Sequence, residues 1–228
     1  TQEEKRSIAV HEAGHASVSW LLEYANPLVK VTIVPRGQSL GAAWYLPEER
    51  TIITREQMLD EMCATLAGRA AEEVVLGRIS SGALNDLERV TQRAYGMVAF
   101  LGMSERMPNL SYYNPQETFQ KPYSDETARI IDQEVQKLID EQYARAKRIL
   151  TENADKHKAL ADLLCEHEVI FAADVENIFG ARPWKSRADI ILEEQPLPAE
   201  PAAPEGETSA PQAGEEPTIS AHLPNAAE

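Results

Sequence analysis

Cysteine, positive charge and long apolar runs are all scarce in this chain, and each shortage removes a class of function. Cys63 and Cys165 are the only cysteines among 228 residues. Two thiols far apart make neither a disulfide framework nor a thiolate zinc site, so both read as free core residues in a reducing compartment. Lys and Arg number 22 against 37 Asp and Glu, a net charge of −15, which leaves no basic footprint for nucleic acid. No apolar stretch approaches the length of a membrane span, and no secretory signal is present. A Gly-x-x-x-x-Gly-Lys-Ser/Thr phosphate loop is also missing.

The acid excess is uneven. Asp189 and the eight glutamates after it, with no Lys or Arg among them, leave 22 cations against 28 anions elsewhere, a net of −6. From Pro183 onward Pro, Ala, Gly and Glu dominate, with almost no large apolar residue after Leu197. Such a segment cannot bury enough surface to offset its ordering entropy. The sequence therefore divides into a globular domain at 1–182 and a disordered acidic Pro/Ala/Glu-rich tail at 183–228.

What is present is concentrated near the start, in His11-Glu12-Ala13-Gly14-His15. Two histidines four apart on a helix lie on one face, about 40° apart, so both rings can reach one ion. Glu12 projects beside the pair, where it can deprotonate a water next to a metal without ligating it. Thr1-x-x-Glu4 fits a capping box, and Ile8, His11, His15, Val18 and Leu22 repeat at helical spacing. The pattern occurs by chance in roughly one chain in a hundred of this size. The plainer alternative is a helix with two core histidines and a surface glutamate.

The rest of the chain reads as mainly α, an α+β fold with a small β-sheet. Val29–Val34 alternates like a strand, Pro35–Ser39 is turn chemistry, and Leu40–Leu46 is a second strand ended by Pro47. Gly41, Ala42, Ala43 and Trp44 leave that strand's backbone accessible, as for a peptide added to a sheet edge; a short structural edge strand fits equally. Thr54-x-x-Gln57 opens a helix to about Leu76, with Met58, Leu59, Met62, Cys63, Leu66, Ala70 and Val74 inward. Another helix starts near Ser80-Ser81-Gly82 and runs to Leu101, with Leu84, Leu87, Val90, Ala94, Val98 and Leu101 inward. After an irregular stretch at 102–123, Ser124 caps the longest helix, to about Asn153. A shorter helix carries Leu160, Leu163 and Leu164, and a final turn spans Asp174–Phe179. His157 and His167 lack a partner at ligand spacing and read as packing or surface residues.

A catalytic zinc ion normally takes three protein ligands and a water, and spacing leaves the third ligand open. Asp86 sits near a helix start, where backbone N–H groups and the dipole favour a carboxylate. Glu72 or Glu73 competes with it, off the Met62/Leu66/Ala70 stripe.

Several separated motifs narrow this by resemblance. His11-Glu12-Ala13-Gly14-His15-Ala16, Val34-Pro35-Arg36-Gly37, Leu40-Gly41, Leu46-Pro47-Glu48, Ala67–Glu73, Ser81–Leu87 and Tyr123–Ala128 together resemble the peptidase domain of the FtsH family. Those are membrane-bound, ATP-dependent zinc proteases, and the likeness runs to about Gly180. It implies a helical metallopeptidase fold with a small sheet, and endopeptidase activity on unfolded or membrane proteins. It implies Zn²⁺ on His11, His15 and Asp86, Glu12 as the base, Glu72 behind the ligands, and substrate held along Gly41–Trp44. It further implies a homo-hexamer at the cytoplasmic face of the bacterial inner membrane. ATP and Mg²⁺ would enter only through an ATPase module, and the membrane only through N-terminal segments; neither occurs in this sequence, so a soluble piece of a longer chain is expected. The rival from another class is a hexamer-forming interaction module whose metal site is non-catalytic or vacant.

Overall fold

A reciprocal cap starts the helix that the other elements surround. In the computed structural model, which describes residues 1–35, 41–48, 51–113 and 122–194, the Thr1 hydroxyl accepts from the Glu4 N–H while the Glu4 carboxylate accepts from the Thr1 amine. Helix α1 runs from there over Gln2–Leu21. From Ala9 to Trp20 it is buried on nearly every side, not along one stripe. Three later helices, Arg55–Ala71, Asp125–Glu152 and Ala154–His167, and two strands, Leu28–Thr32 and Ala42–Tyr45, all pack on it.

Strands β1 (Leu28–Thr32) and β2 (Ala42–Tyr45) pair antiparallel, with Val31 opposite Ala43 and a bulge between Leu28 and Lys30. Helix α2 (Arg55–Ala71) starts at the expected Thr54/Gln57 box and continues into a wider π turn, Glu72–Leu76, closed by Gly77 in the left-handed region. A short 3₁₀ turn, Ser81–Ala83, leads into α3 (Leu84–Tyr95) and a second π turn, Gly96–Phe100. Helix α4 (Asp125–Glu152) begins at the Ser124 cap, and α5 (Ala154–His167) follows. Strand β3 (Val169–Phe171), too short to show an alternating pattern, completes a sheet of order β2-β1-β3. Helices α6 (Ala172–Phe179) and α7 (Arg187–Glu194) end the described chain. The expected turn at 36–39, Leu40 of the second strand, the centre of the irregular stretch (114–121) and the tail beyond 194 lie outside the described residues.

Three residues expected inward are exposed: Val74, Leu84 and Leu101. A π turn inserts an extra residue into the 3.6 repeat. It retards the rotation past Glu72, so Val74 turns outward, while Glu72, whose N–H still bonds back to the Gly68 carbonyl, stays on the face that Gly68 turns to the histidines. Packing also continues past the compositional change at 183. The Trp184 indole N–H donates to the Leu21 carbonyl, and the described residues belong to one compact unit.

Two apolar clusters divide the interior. One surrounds α1 with residues of α2, α4, α5, α6 and the sheet; the other fills the space between α2, α3 and α4 around Met62, Leu66, Met97 and Ile131. Where α1 meets α2, Gly14 is pressed so close that a Cβ would stand 2.6 Å from the Ala67 carbonyl oxygen and 2.7 Å from the Ala71 Cβ. His157 of α5 is buried and donates from Nε2 to the Val10 carbonyl of α1, and burial lowers its pKa.

Gly14→Ala should destabilise the domain by about 1–3 kcal/mol in urea unfolding, although alanine is the better helix former by roughly 1 kcal/mol, because the methyl must push two helices apart. A neutral or stabilising result would show that α1 and α2 can separate freely. His157, with a depressed folded-state pKa, gives the folded protein fewer protons than the unfolded chain below the ordinary value of 6.5. Its contribution is therefore level above that pH and lost as pH falls. In His157→Phe the decline in urea midpoint between pH 6.5 and pH 5 should be shallower than in the parent; an identical slope would remove His157 from the acid response.

Candidate metal centre

Helix α1 supplies both histidines and α3 supplies Asp86. The Nε2 atoms of His11 and His15 lie 3.0 Å apart, and Asp86 Oδ2 is 3.2 Å from the first and 3.3 Å from the second. Among the described residues this is the one convergence of three or more His, Cys, Asp or Glu ligand atoms. Tetrahedral zinc with bonds of 2.0–2.1 Å separates its ligand atoms by about 3.3 Å, so the triangle already has the spacing such an ion requires.

Hydrogen bonding fixes the chemistry of the triangle. His15 Nδ1–H donates to the Ala64 carbonyl at 2.9 Å, and a carbonyl can only accept. His11 Nδ1–H donates to Glu72 Oε1 at 2.7 Å. Both neutral rings therefore present an unprotonated Nε2 to each other and to a carboxylate oxygen. Three lone pairs at this spacing repel unless a cation or a proton lies among them. Without an ion the proton answers. Burial would lower the His11 pKa, but the Asp86 and Glu72 carboxylates outweigh it and push it up to about 9. Burial likewise opposes ionisation of Asp86, yet its bonds to both histidines hold it far below the usual carboxylate range.

Glu72, one α-helical turn after Gly68, touches the triangle only through His11. Its other partners are the Ser80 N–H at 2.7 Å and the Ser80 hydroxyl at 3.0 Å. Ser80 also starts the 3₁₀ turn leading to α3, so one serine joins the support of His11 to the segment that delivers Asp86. Glu73 points elsewhere, accepting from the Tyr143 hydroxyl and from Lys147.

Two glycines make the room. A Cβ on Gly68 would lie 2.4 Å from His11 Nε2 and 2.5 Å from His15 Nε2, inside the space the ligand atoms enclose. A Cβ on Gly41 would lie 2.7 Å from Glu12 Oε1. Glu12 is 8 % exposed, and burial raises its pKa. The carboxylate thus sits against the β2 approach with its basicity increased.

A groove of about 1420 Å³ exposes His11, Glu12, His15 and Asp86, with Gly41, Ala42 and Ala43 on one wall. Of the four residues expected along the strand, Trp44 alone does not line it; its side chain stacks under the Lys30 ammonium, 5.4 Å from the ring centroid. Strand β2 is at the sheet edge, and among the described residues no strand pairs with its outer side. Ser80, Gly68 and the Ala64 carbonyl went unnoticed in the sequence. Gly68 inside a long helical pattern was the available signal, since such a glycine needs a packing reason.

The profile described as peptidase family M41 matches residues 1–178. The ATP-dependent zinc metalloprotease FtsH of Parabacteroides distasonis is 66 % identical over 198 residues, covering 86 % of this chain and 29 % of that protein. Its counterpart in Rhodothermus marinus is 54 % identical over 188 residues, covering 80 % and 27 %. The mouse mitochondrial inner membrane m-AAA protease component AFG3L2 is 46 % identical over 189 residues, covering 82 % and 24 %. The chain thus spans less than a third of the length of these relatives.

Loading the ion-free protein with Zn²⁺ at pH 7 should release about one proton, because His11 must surrender the one its two carboxylates hold. Calorimetry in buffers of different ionisation enthalpy gives the number, and a value near zero would contradict the lone-pair arrangement. Ser80→Ala should weaken zinc about tenfold against a chromophoric chelator. Undiminished affinity would show that Glu72 needs no anchor.

Proposed function

The chain belongs to peptidase family M41, and on that premise we propose that it is a zinc-dependent endopeptidase domain, the cutting part of an ATP-driven, membrane-anchored protease. The observation that carries this reading is the triangle of His11, His15 and Asp86 with the buried carboxylate of Glu12 beside it. His11, His15 and Asp86 would hold the ion, and Glu72 would hold His11. Zinc bound there supplies a Lewis acid for a scissile carbonyl and makes a neighbouring water acidic.

The chain's own residues do the rest. Ala64 and Glu72 hold the rings with Nδ1 protonated, so both Nε2 lone pairs stay directed at the ion. Glu12 takes the proton of the attacking water on a carboxylate oxygen and returns it to the departing amide nitrogen. Its raised pKa suits both halves of that cycle. Strand β2 receives an extended peptide through main-chain hydrogen bonds, and Gly41 lets that peptide lie close to Glu12. A scaffold with an idle metal site has no use for a buried base at this position.

We extend the proposal to the whole protein: the relatives' names support ATP dependence and zinc proteolysis, and the family resemblance carries the rest. Unfolded or membrane proteins are the substrates; a separate module spends ATP with Mg²⁺ to deliver them; and six copies assemble at the cytoplasmic face of a bacterial inner membrane. Among the described residues no helix is long and apolar enough to cross a membrane.

Glu12→Gln should keep zinc, by elemental analysis, and lose at least about a hundredfold in cleavage of an unfolded protein. Cleavage near the parent rate would remove Glu12 as the base. Zinc-loaded parent protein that cuts no unfolded chain, or cuts equally well in the presence of a chelator, would overturn the peptidase reading.

A further inference from the structure

The catalytic groove carries one positive charge whose role the peptidase reading leaves unassigned. Lys5, Arg78 and Arg89 are the Lys and Arg side chains lining it among the described residues, and the Thr1 ammonium there is paired with Glu4. Lys5 is paired with Glu168 at 2.6 Å and Arg78 with Glu3 at 2.6 Å. Arg89 is exposed and makes no hydrogen bond or ion pair with any described residue. It stands three residues after Asp86 on α3, a spacing that puts both side chains on one helix face. Its neighbour one turn on, Arg93, is neutralised by Glu61 at 2.6 Å.

Arg89 also borders a second cavity. Between α2 and α3 lies a space of about 680 Å³, floored by Met58, Met62, Met97 and Phe100. This cavity shares Glu61, Thr65 and Arg89 with the catalytic groove, so the three residues form the seam where one opens into the other. Glu61 is occupied with Arg93 and Thr65 returns its hydroxyl to the Glu61 carbonyl. Arg89 is what remains to meet a polar group of a chain lying across the seam. Of the acids around the triangle, Asp86 is held by the histidines, Glu72 by His11 and Ser80, and Glu168 by Lys5; Glu12 is the proposed base.

Resting on the peptidase reading, we propose that Arg89 forms a substrate subsite selective for a carboxylate, placed within a few residues of the scissile bond on the side of α2 and α3. The guanidinium presents up to five N–H donors in a planar fork that fits a carboxylate with two parallel bonds. The ligand carboxylate has two sources, an Asp or Glu side chain and the C-terminus of the peptide. A site of this kind biases where an unfolded chain is cut without preventing cuts elsewhere. It also gives the negatively charged groove a place that attracts acidic segments, which the three carboxylates near the triangle would otherwise repel.

The test uses the zinc-loaded chain and unstructured peptides of one sequence. Glu, Gln and Lys are placed in turn at each of the positions flanking the cut, each peptide being made with a free and with an amidated C-terminus. At one position kcat/KM for Glu should exceed that for Gln by about tenfold, the effect of one charge-assisted pair, and the ratio should shrink in high salt. Arg89→Gln should bring the ratio close to one, and Arg89→Glu should invert it in favour of Lys. A tenfold preference that follows the free C-terminus, and is lost with amidation and with Arg89→Gln, supports the subsite with the chain end as its ligand. An equal ratio in parent and Arg89→Gln, for side chain and chain end alike, overturns the proposal while leaving the peptidase reading intact. Failure of the parent protein to cleave any of these peptides with zinc overturns both.

Discussion

Helices α1 and α2 meet through glycine at two levels, and the spacing set there controls every distance in the metal centre. At Gly14 the backbone of α1 lies against the Ala67 carbonyl and the Ala71 methyl. On the facing helix Gly68, the residue after Ala67, leaves room beside both Nε2 atoms. Any side chain at either position would force the helices apart or fill the triangle. The small residues Ala9, Ala13, Ala16, Ala67, Ala70 and Ala71, all buried, continue the same close contact. A helix interior rarely gains from glycine, which costs about 1 kcal/mol relative to alanine. Here that cost is offset by letting the two histidine rings reach across the interface to the Ala64 carbonyl and the Glu72 carboxylate.

The close contact also creates an electrostatic demand. Three carboxylates, Glu12, Glu72 and Asp86, converge on two imidazoles in a partly dry region. Burying ionised groups without compensation costs several kcal/mol each. Hydrogen bonds from Ser80 and His11 compensate Glu72, and a dication would compensate the remainder while removing the lone-pair repulsion at the triangle. Each carboxylate differs in surroundings and so in task. Asp86 and Glu72 are held ionised by donors, and Glu12, facing Gly41 and the groove, is held more basic. The most basic of the three is the one beside β2, on which the proposal of a catalytic rather than a merely metal-binding arrangement rests.

Much of this was legible in the residues, and the exceptions have physical causes. The capping boxes at Thr1 and Thr54 and the Ser124 cap are local hydrogen-bond patterns, and the helices start where they indicate. His11 and His15 are four apart, so helix geometry alone brings them together. Asp86 is 75 positions from His11 in sequence, and only tertiary packing unites them; spacing left Asp86 level with Glu72 and Glu73, and the family resemblance supplied the preference. Glu72 lies off the Met62/Leu66/Ala70 stripe, and that position alone does not say whether it would ligate an ion or support a ligand. A constant 3.6-residue period places Val74 inside, and the π turn breaks that period. Leu84 lies in the first turn after the 3₁₀ segment, at the rim of the groove, and is exposed there. Strand β3, three residues long, carries no period at all; it exists because β1 offers Lys30, Val31 and Thr32 as partners.

The helix that carries His11 and His15 is tied at its far end by residues distant in sequence. Helix α1 has no basic residue in its last turn, and its final carbonyls have no partners within the helix. The Trp184 indole donates to the Leu21 carbonyl and the Arg182 guanidinium to that of the C-cap Leu22, and Arg182 goes on to the Glu23 and Ala25 carbonyls just past the helix. In return the Trp20 indole N–H donates to the Gly180 carbonyl. A cation at a helix C-terminus also complements the macrodipole. With the Thr1 and Glu4 box at the other end, α1 has hydrogen-bonded caps at both termini, which oppose fraying. Precision at His11 and His15 therefore depends partly on a strap about 160 residues further along the chain, in a stretch whose polar, proline-containing composition gives no sign of it. Composition reports whether a segment can build a core of its own; it does not report whether a few of its side chains complete someone else's helix.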